Sequence, residues 1–166
     1  MTTIYIDGDG PLQDFAKWMV DNKIPLGYNR SDTEAEFHLR IEEIFLESPP
    51  AKYLSFFLKL YTSWDNVKVL TAVGDHWLDS EMKEKAICNK VTALSRLGFK
   101  EEDIVVVNSG SNKIAYATAD DGICTTNILY DDKWSTIKEW EAAGGLGFFV
   151  PECYLRFEEA GHGDKT

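Results

Sequence analysis

The chain has 166 residues and a net charge of −11, with 44% hydrophobic and 27% charged residues. This length is typical of one domain, and the composition is globular rather than disordered or fibrous. The negative charge repels polyanions, so we expect neither a nucleic acid polymer nor an anionic membrane as partner. A small anionic substrate remains compatible if its site contains a cation.

The sequence has no apolar run long enough to cross a membrane, and Asp7 interrupts the place where a signal peptide would have its apolar core. We therefore expect a cytoplasmic protein. Its cysteines, Cys88, Cys124 and Cys153, are odd in number and far apart, which argues against a disulfide framework or a close zinc cluster. We expect them to be buried. The oligomeric state is left open.

Five short apolar runs predict buried β-strands. Residues 3–6 are β-branched and aromatic, and they lead into the turn-forming sequence of residues 7–10. The other four runs are residues 67–70, 104–107, 128–130 and 147–150.

Helical patterns separate these runs. A capping box at residues 31–34 precedes a periodic segment that stops before Pro49. Residues 79–97 predict a helix that ends at Gly98, and a last helix follows from Trp134. The helix that follows Pro49 and Pro50 has large apolar side chains on one face, namely Tyr53, Phe56, Phe57, Leu60 and Trp64.

Strands that alternate with helices favour parallel pairing with right-handed crossovers, so the predicted fold is α/β with a doubly wound, mostly parallel sheet. The connection after the first strand is too long for one crossover. We assign residues 1–19 and 64–151 to the α/β core, 20–63 to a small helical cap, and 152–166 to a C-terminal tail. The cap would cover the carboxyl ends of the strands, where such sheets bind ligands.

Two acidic pairs follow two of the predicted strands. Asp7 and Asp9 come after the first strand, and Asp131 and Asp132 come after the run at 128–130. The first pair does not belong to an EF-hand, because the required glycine and final glutamate are missing at their positions. Parallel strands end at one edge, where so many carboxylates repel one another unless a cation offsets them. Oxygen ligands favour Mg²⁺ over zinc.

Two further polar residues lie beyond strands, in an order that suits phosphate chemistry. Thr71 directly follows the second run, and Lys113 follows the third through a polar stretch. A phosphate bound beside the metal would need such a hydroxyl donor and such a positive charge.

Together these residues resemble the four motifs of the haloacid dehalogenase-like superfamily of phosphatases. The resemblance covers residues 3–150. Within the superfamily, the opening with Asp14-Phe15 and the ending at residues 127–132, followed by Trp140 and Gly144, are similar to the 5′(3′)-deoxyribonucleotidases. The residues that match the four motifs are Asp7-Gly8-Asp9-Gly10, Thr71, Lys113 and Asp131-Asp132.

The resemblance implies a role for each residue. Asp7 would attack phosphorus and form an aspartyl-phosphate, while Asp9 would act as general acid and then general base. Mg²⁺ would be held by the Asp7 carboxylate, the Asp9 backbone carbonyl and Asp132, with Asp131 in support. The substrate contacts would come from Thr71 and Lys113 on the phosphoryl oxygens and from Phe15 on the sugar or base.

The sequence departs from the family pattern at Gly8 and Pro11, and Lys113 precedes the last motif by a longer gap than the family leads us to expect. Lys90 is the alternative phosphate lysine, which we disfavour because it lies within a predicted helix. His76 and Trp77 are candidates for the entrance of the site, with an ordinary loop role as the alternative.

These features predict a Mg²⁺-dependent phosphomonoesterase with a small helical cap that hydrolyses nucleoside monophosphates, preferably deoxy ones. A phosphatase of sugar phosphates or other small metabolites is the first alternative. A phospho-acceptor regulatory domain of the receiver type is the second, although its acceptor aspartate should follow a middle strand of the sequence rather than the first.

Overall fold

The computed structural model describes residues 2–24, 35–36, 38–74, 79–120, 122 and 126–151. Its strands are β1 (Ile4–Ile6), β2 (Val67–Ala72), β3 (Ile104–Val107), β4 (Ile128–Asp131) and β5 (Leu146–Phe149). Its helices are α1 (Phe15–Asp21), α2 (Leu54–Ser63), α3 (Ser80–Leu97), α4 (Gly110–Asp120) and α5 (Trp134–Ala142), with a short 3₁₀ helix at Glu101–Asp103. No helix within these ranges is long and apolar enough to span a membrane.

The strands form one parallel sheet in the order β3-β2-β1-β4-β5. Ile4 of the central strand is in register with Val67 on one side and with Ile128 on the other. The predicted doubly wound α/β fold is therefore confirmed. The order reverses between β1 and β4, and ligands of such sheets bind beyond the strand ends at this point.

Helices cover both faces of the sheet because side chains alternate along β1. Ile4 and Ile6 pack in a cluster that includes Phe57 of α2. Tyr5 points to the other face, where its ring meets Trp140 of α5 at 5.4 Å in an edge-on contact. Both faces are thus shielded from water, as a parallel sheet requires.

The segment predicted as a cap contributes to two different clusters. Ile44 and Phe45 pack with Trp18 of α1 in a cluster that also contains Ala86 of α3. By contrast, α2 packs Phe57, which is 2% exposed, against the sheet. The cap as a separate unit stays a prediction. The capping box at 31–34, His76, Trp77 and the tail at 152–166 lie outside the described residues.

The apolar face predicted for α2 is only partly buried. Tyr53 and Leu60 pack against the same cluster as Phe57. Phe56 and Trp64 are 53% and 54% exposed.

Two local expectations differ from the structure. Residues 110–120 form α4, where the sequence indicated only a polar connection to Lys113. The buried residues of this helix are Lys113 and Ala117, so its inward face lacks the large apolar side chains by which amphipathic helices are found. The expectation that Cys88 is buried is wrong: it is exposed on α3, whose inward positions are Ala86, Lys90, Ala93 and Leu94.

Candidate active site at the ends of β1, β2 and β4

The loop after β1 carries Asp7 and Asp9 to the switch point of the sheet. The Asp7 backbone N–H donates to Tyr130 O at 2.8 Å, which joins this loop to β4. Gly8 and Gly10 allow the loop to pass close to its neighbours. A Cβ on Gly8 would lie 2.9 Å from Thr71 Oγ1, and one on Gly10, whose φ is +105°, would lie 2.5 Å from Asp132 Oδ2. Larger residues at these two positions would displace Thr71 and Asp132.

Lys113 forms hydrogen bonds with one carboxylate of each acidic pair. Its ammonium group donates to Asp7 Oδ1 at 2.8 Å and to Asp131 Oδ2 at 2.6 Å. The side chains of all three residues are at most 8% exposed. The remaining oxygen of Asp131, Oδ1, accepts from the backbone N–H of Lys133 at 2.8 Å. Charge-assisted hydrogen bonds of this kind fix the carboxylates in place.

Asp7, Asp131 and Asp132 form a cluster in which one carboxylate oxygen from each lies within 4.8 Å of the others. Burial and the neighbouring charge of Asp7 raise the pKa of Asp131 to about 6, although Lys113 opposes the shift. Burial, followed by the charges of Asp7 and Asp131, raises the pKa of Asp132 well above its usual value. Burial is the largest cause of both pKa shifts, and the charges of the neighbouring carboxylates add to it while Lys113 opposes them.

A second buried lysine, Lys90, lies on Asp9. Its Nζ donates to Asp9 Oδ2 at 2.7 Å and to the Ala72 backbone carbonyl at 2.6 Å. Burial is the largest cause of the raised pKa of Asp9; the charge of Lys90 opposes it, and that of Asp7 reinforces it.

The charges of the site fit a divalent cation. With every carboxylate ionised, Asp7, Asp9, Asp131 and Asp132 carry four negative charges. The ammonium groups of Lys90 and Lys113 carry two positive charges, which leaves two negative charges, or one when Asp9 is protonated. The oxygen donors of the three-residue cluster are those that Mg²⁺ prefers. The donor set therefore suits this ion.

The two remaining predicted residues differ in their surroundings. Thr71 is fully buried, and among the described residues nothing forms a hydrogen bond with its Oγ1. A buried hydroxyl without a partner is costly unless a ligand or water completes it. Phe15, at the start of α1, is half-buried and stacks on Trp18 and Phe45 at ring separations of 6.5 Å and 6.2 Å.

The structure thus brings Asp7, Asp9, Asp131, Asp132, Thr71, Lys113 and Lys90 to one edge of the sheet. Position in a helix does not separate the two lysines, since Lys113 lies within α4 as Lys90 lies within α3. The pairing of Lys90 with Asp9 was not foreseen from the sequence. Its signal is a lysine on the buried face of α3, four residues after Ala86.

Comparisons with known proteins support the fold. No family model and no curated protein sequence gives a match. A solved structure of D,D-heptose 1,7-bisphosphate phosphatase from Burkholderia thailandensis is similar, with a TM-score of 0.51 and 11% identity over 87% of this chain and 75% of that one. The HAD domain of effector protein Lem4 from Legionella pneumophila gives a TM-score of 0.47 and 9% identity over 95% and 92%.

At this identity, the likeness to the heptose bisphosphate phosphatase shows a shared fold. The chain has the Rossmann-like α/β fold that the resemblance implied. The superfamily, the activity and the nucleotidase subfamily stay proposals.

Proposed function

We propose that the protein is a Mg²⁺-dependent phosphomonoesterase that acts on nucleoside monophosphates through an aspartyl-phosphate. The observation that carries the proposal is the cluster of Asp7, Asp131 and Asp132 beside the buried Lys113. Such a site combines a nucleophile, a place for a cation and a fixed positive charge, which are the parts that phosphoryl transfer requires.

Mg²⁺ would be held by the Asp7 carboxylate, the Asp9 carbonyl and Asp132, with Asp131 in support. When bound, the ion would offset the charge of the carboxylates and of the phosphoryl group. Thr71 offers its buried hydroxyl to a phosphoryl oxygen, which would supply the partner that this group otherwise lacks. Lys113 would keep the Asp7 carboxylate in position and attract the same phosphoryl group.

The reaction has two steps. A carboxylate oxygen of Asp7 bonds to phosphorus as the bond between phosphorus and the ester oxygen breaks, and protonated Asp9 gives its proton to the departing oxygen. A water molecule then attacks phosphorus and gives a proton to Asp9, and the bond from phosphorus to Asp7 breaks. The products are an alcohol and inorganic phosphate, and both aspartates return to their initial states.

The substrate is proposed on the resemblance to the deoxyribonucleotidases, with Phe15 contacting the sugar or base. A sugar phosphate is the second candidate, because the similar fold of 11% identity belongs to a phosphatase of a heptose bisphosphate. Steady-state kinetics on a panel of deoxynucleoside, nucleoside and sugar monophosphates separates the two. The Asp7→Asn variant should remain folded and lose turnover on every substrate, and retained turnover would refute the nucleophile.

A further inference from the structure

Lys90 is buried beside the active site, and the proposed reaction gives it no role. Its side chain is fully buried, and its Nζ lies 4.9 Å from the centroid of the Phe45 ring. Burying an ammonium group is costly unless it is paired, and an apolar side chain on the inward face of α3 would carry no such cost. The position of this charge therefore calls for a functional explanation.

The two carboxylate oxygens of Asp9 have different surroundings, because only one of them contacts Lys90. Oδ2 accepts a hydrogen bond from Lys90 at 2.7 Å. Oδ1 is also buried, yet it accepts no hydrogen bond from the residues that the structure describes. A carboxylate with one oxygen fixed in this way has a defined orientation, and its second oxygen has no hydrogen-bond partner among the described residues.

The other contacts of Lys90 hold the ammonium group itself in place. It donates to the carbonyl of Ala72, the last residue of β2, at 2.6 Å. The Phe45 ring lies over it on another side. Lys90 thus links Asp9 to the end of β2, next to Thr71. Ala72 is in register with Val107 of β3, whereas Asp9 lies in the loop after β1.

We propose that Lys90 is a positioning residue for proton transfer: it fixes Asp9 through Oδ2, so that Oδ1 exchanges the proton with the ester oxygen and then with water. This inference rests on the proposed function. Lys90 takes no part in the proton transfer itself and does not contact the substrate. In the first step the proton moves from Asp9 to the departing oxygen as its bond to phosphorus breaks, and in the second a proton returns from water to Asp9.

The test compares two leaving groups. Protonation by Asp9 matters for an alkyl phosphate, whereas 4-nitrophenyl phosphate releases a stable anion that needs little protonation. We would measure kcat/KM, which reports the first chemical step, for wild type and for Lys90→Met, using the nucleoside or sugar monophosphate that the wild type hydrolyses best. If Asp9 is misplaced in Lys90→Met, kcat/KM should fall about 100-fold for the alkyl phosphate. It should fall less than about tenfold for the aryl phosphate.

Two further variants serve as references. Lys68→Met removes a lysine of another ion pair, with Asp120 at 2.8 Å, and should change neither value by more than about threefold. Asp9→Asn should show the same selective loss as Lys90→Met, and a larger one. If Lys90→Met does not fold, as judged by thermal unfolding, Lys90→Leu takes its place, since it also removes the donor to Asp9 Oδ2.

The outcomes are distinct. A selective loss for the alkyl phosphate in the Lys90 variant supports the positioning role. Equal losses on both substrates, or none, would overturn it and leave the proposed function intact. A wild type that hydrolyses neither substrate in the presence of Mg²⁺ would overturn both.

Discussion

Replacing Lys113 by methionine tests the charge arrangement of the site. In the native protein the ammonium group lies 2.8 Å from Asp7 Oδ1 and 2.6 Å from Asp131 Oδ2, and all three side chains are nearly inaccessible to water. Methionine retains most of the apolar stem but leaves two buried carboxylates without this partner. Removing one member of a buried ion pair typically lowers the free energy of unfolding by about 3–5 kcal/mol, so we expect a loss of that size without Mg²⁺.

Lys17→Met is the matched control, which shows how much free energy of unfolding is lost when an exposed lysine is replaced by methionine. Lys17 forms an ion pair with Asp21 at 2.7 Å, but both side chains are about half exposed, at 51% and 55%. Exposed pairs one helical turn apart contribute about 0.5 kcal/mol or less, so Lys17→Met should be nearly neutral. Both variants would be compared with wild type by urea denaturation in EDTA, followed by circular dichroism.

The same unfolding measurements are then repeated with Mg²⁺, which should affect wild type and Lys113→Met differently. With every carboxylate ionised, four carboxylates and two ammonium groups give the wild-type site a net charge of −2, and one ammonium group gives Lys113→Met a net charge of −3. With Asp9 protonated the two values are −1 and −2, so the variant is more negative by one charge in either case. A ligand present at 100 times its Kd adds about 2.7 kcal/mol to the free energy of unfolding. We therefore expect Mg²⁺ to stabilise Lys113→Met more than wild type. A loss in EDTA no larger than that of Lys17→Met, or the absence of any Mg²⁺ effect on both proteins, would refute the reasoning.

Two other predictions concern single residues. Gly10→Ala should weaken Mg²⁺ binding and turnover at least about tenfold, because even a small displacement of a catalytic group is costly and the new Cβ would meet Asp132 at 2.5 Å. Gly122→Ala is the control, since its φ is also positive, at +71°, but its Cβ would meet no atom of the described residues within 4 Å. Titration calorimetry and steady-state kinetics check both variants, and equal effects would contradict the argument. Phe57→Ala should lower the free energy of unfolding by about 3–5 kcal/mol. Phe56→Ala, at a ring that is 53% exposed, should lower it less. Similar losses for the two variants in urea denaturation would show that α2 does not pack as described.

The sheet could be predicted from the sequence because its strands are short, apolar and bounded by turn residues. The run at 104–107 coincides with β3, and β2 and β4 extend past their predicted ends only to Ala72 and Asp131. These additional residues are polar or small and lack the apolar character by which the strands were found. The parallel pairing followed from the alternation with helices.

The acidic cluster could also be predicted from the sequence, because the carboxyl ends of parallel strands lie at one edge of the sheet. The meeting of Asp7 and Asp132 at that edge follows from the topology alone. The role of Lys90 was not accessible in the same way, since its contact with Asp9 spans 81 residues and depends on how α3 packs. A lysine within a helix is usually on the solvated face, and only the packing shows that this one points inward.

The central claim is that Asp7 forms a covalent bond to phosphorus. A rapid acid quench during turnover of the best substrate with Mg²⁺, followed by proteolysis and mass spectrometry, would detect the phosphoryl group directly. We predict that it is found on Asp7 in wild type and is absent from Asp7→Asn. A phosphoryl group on another residue, or wild-type turnover without any phosphorylated protein across the quench times, would contradict the account.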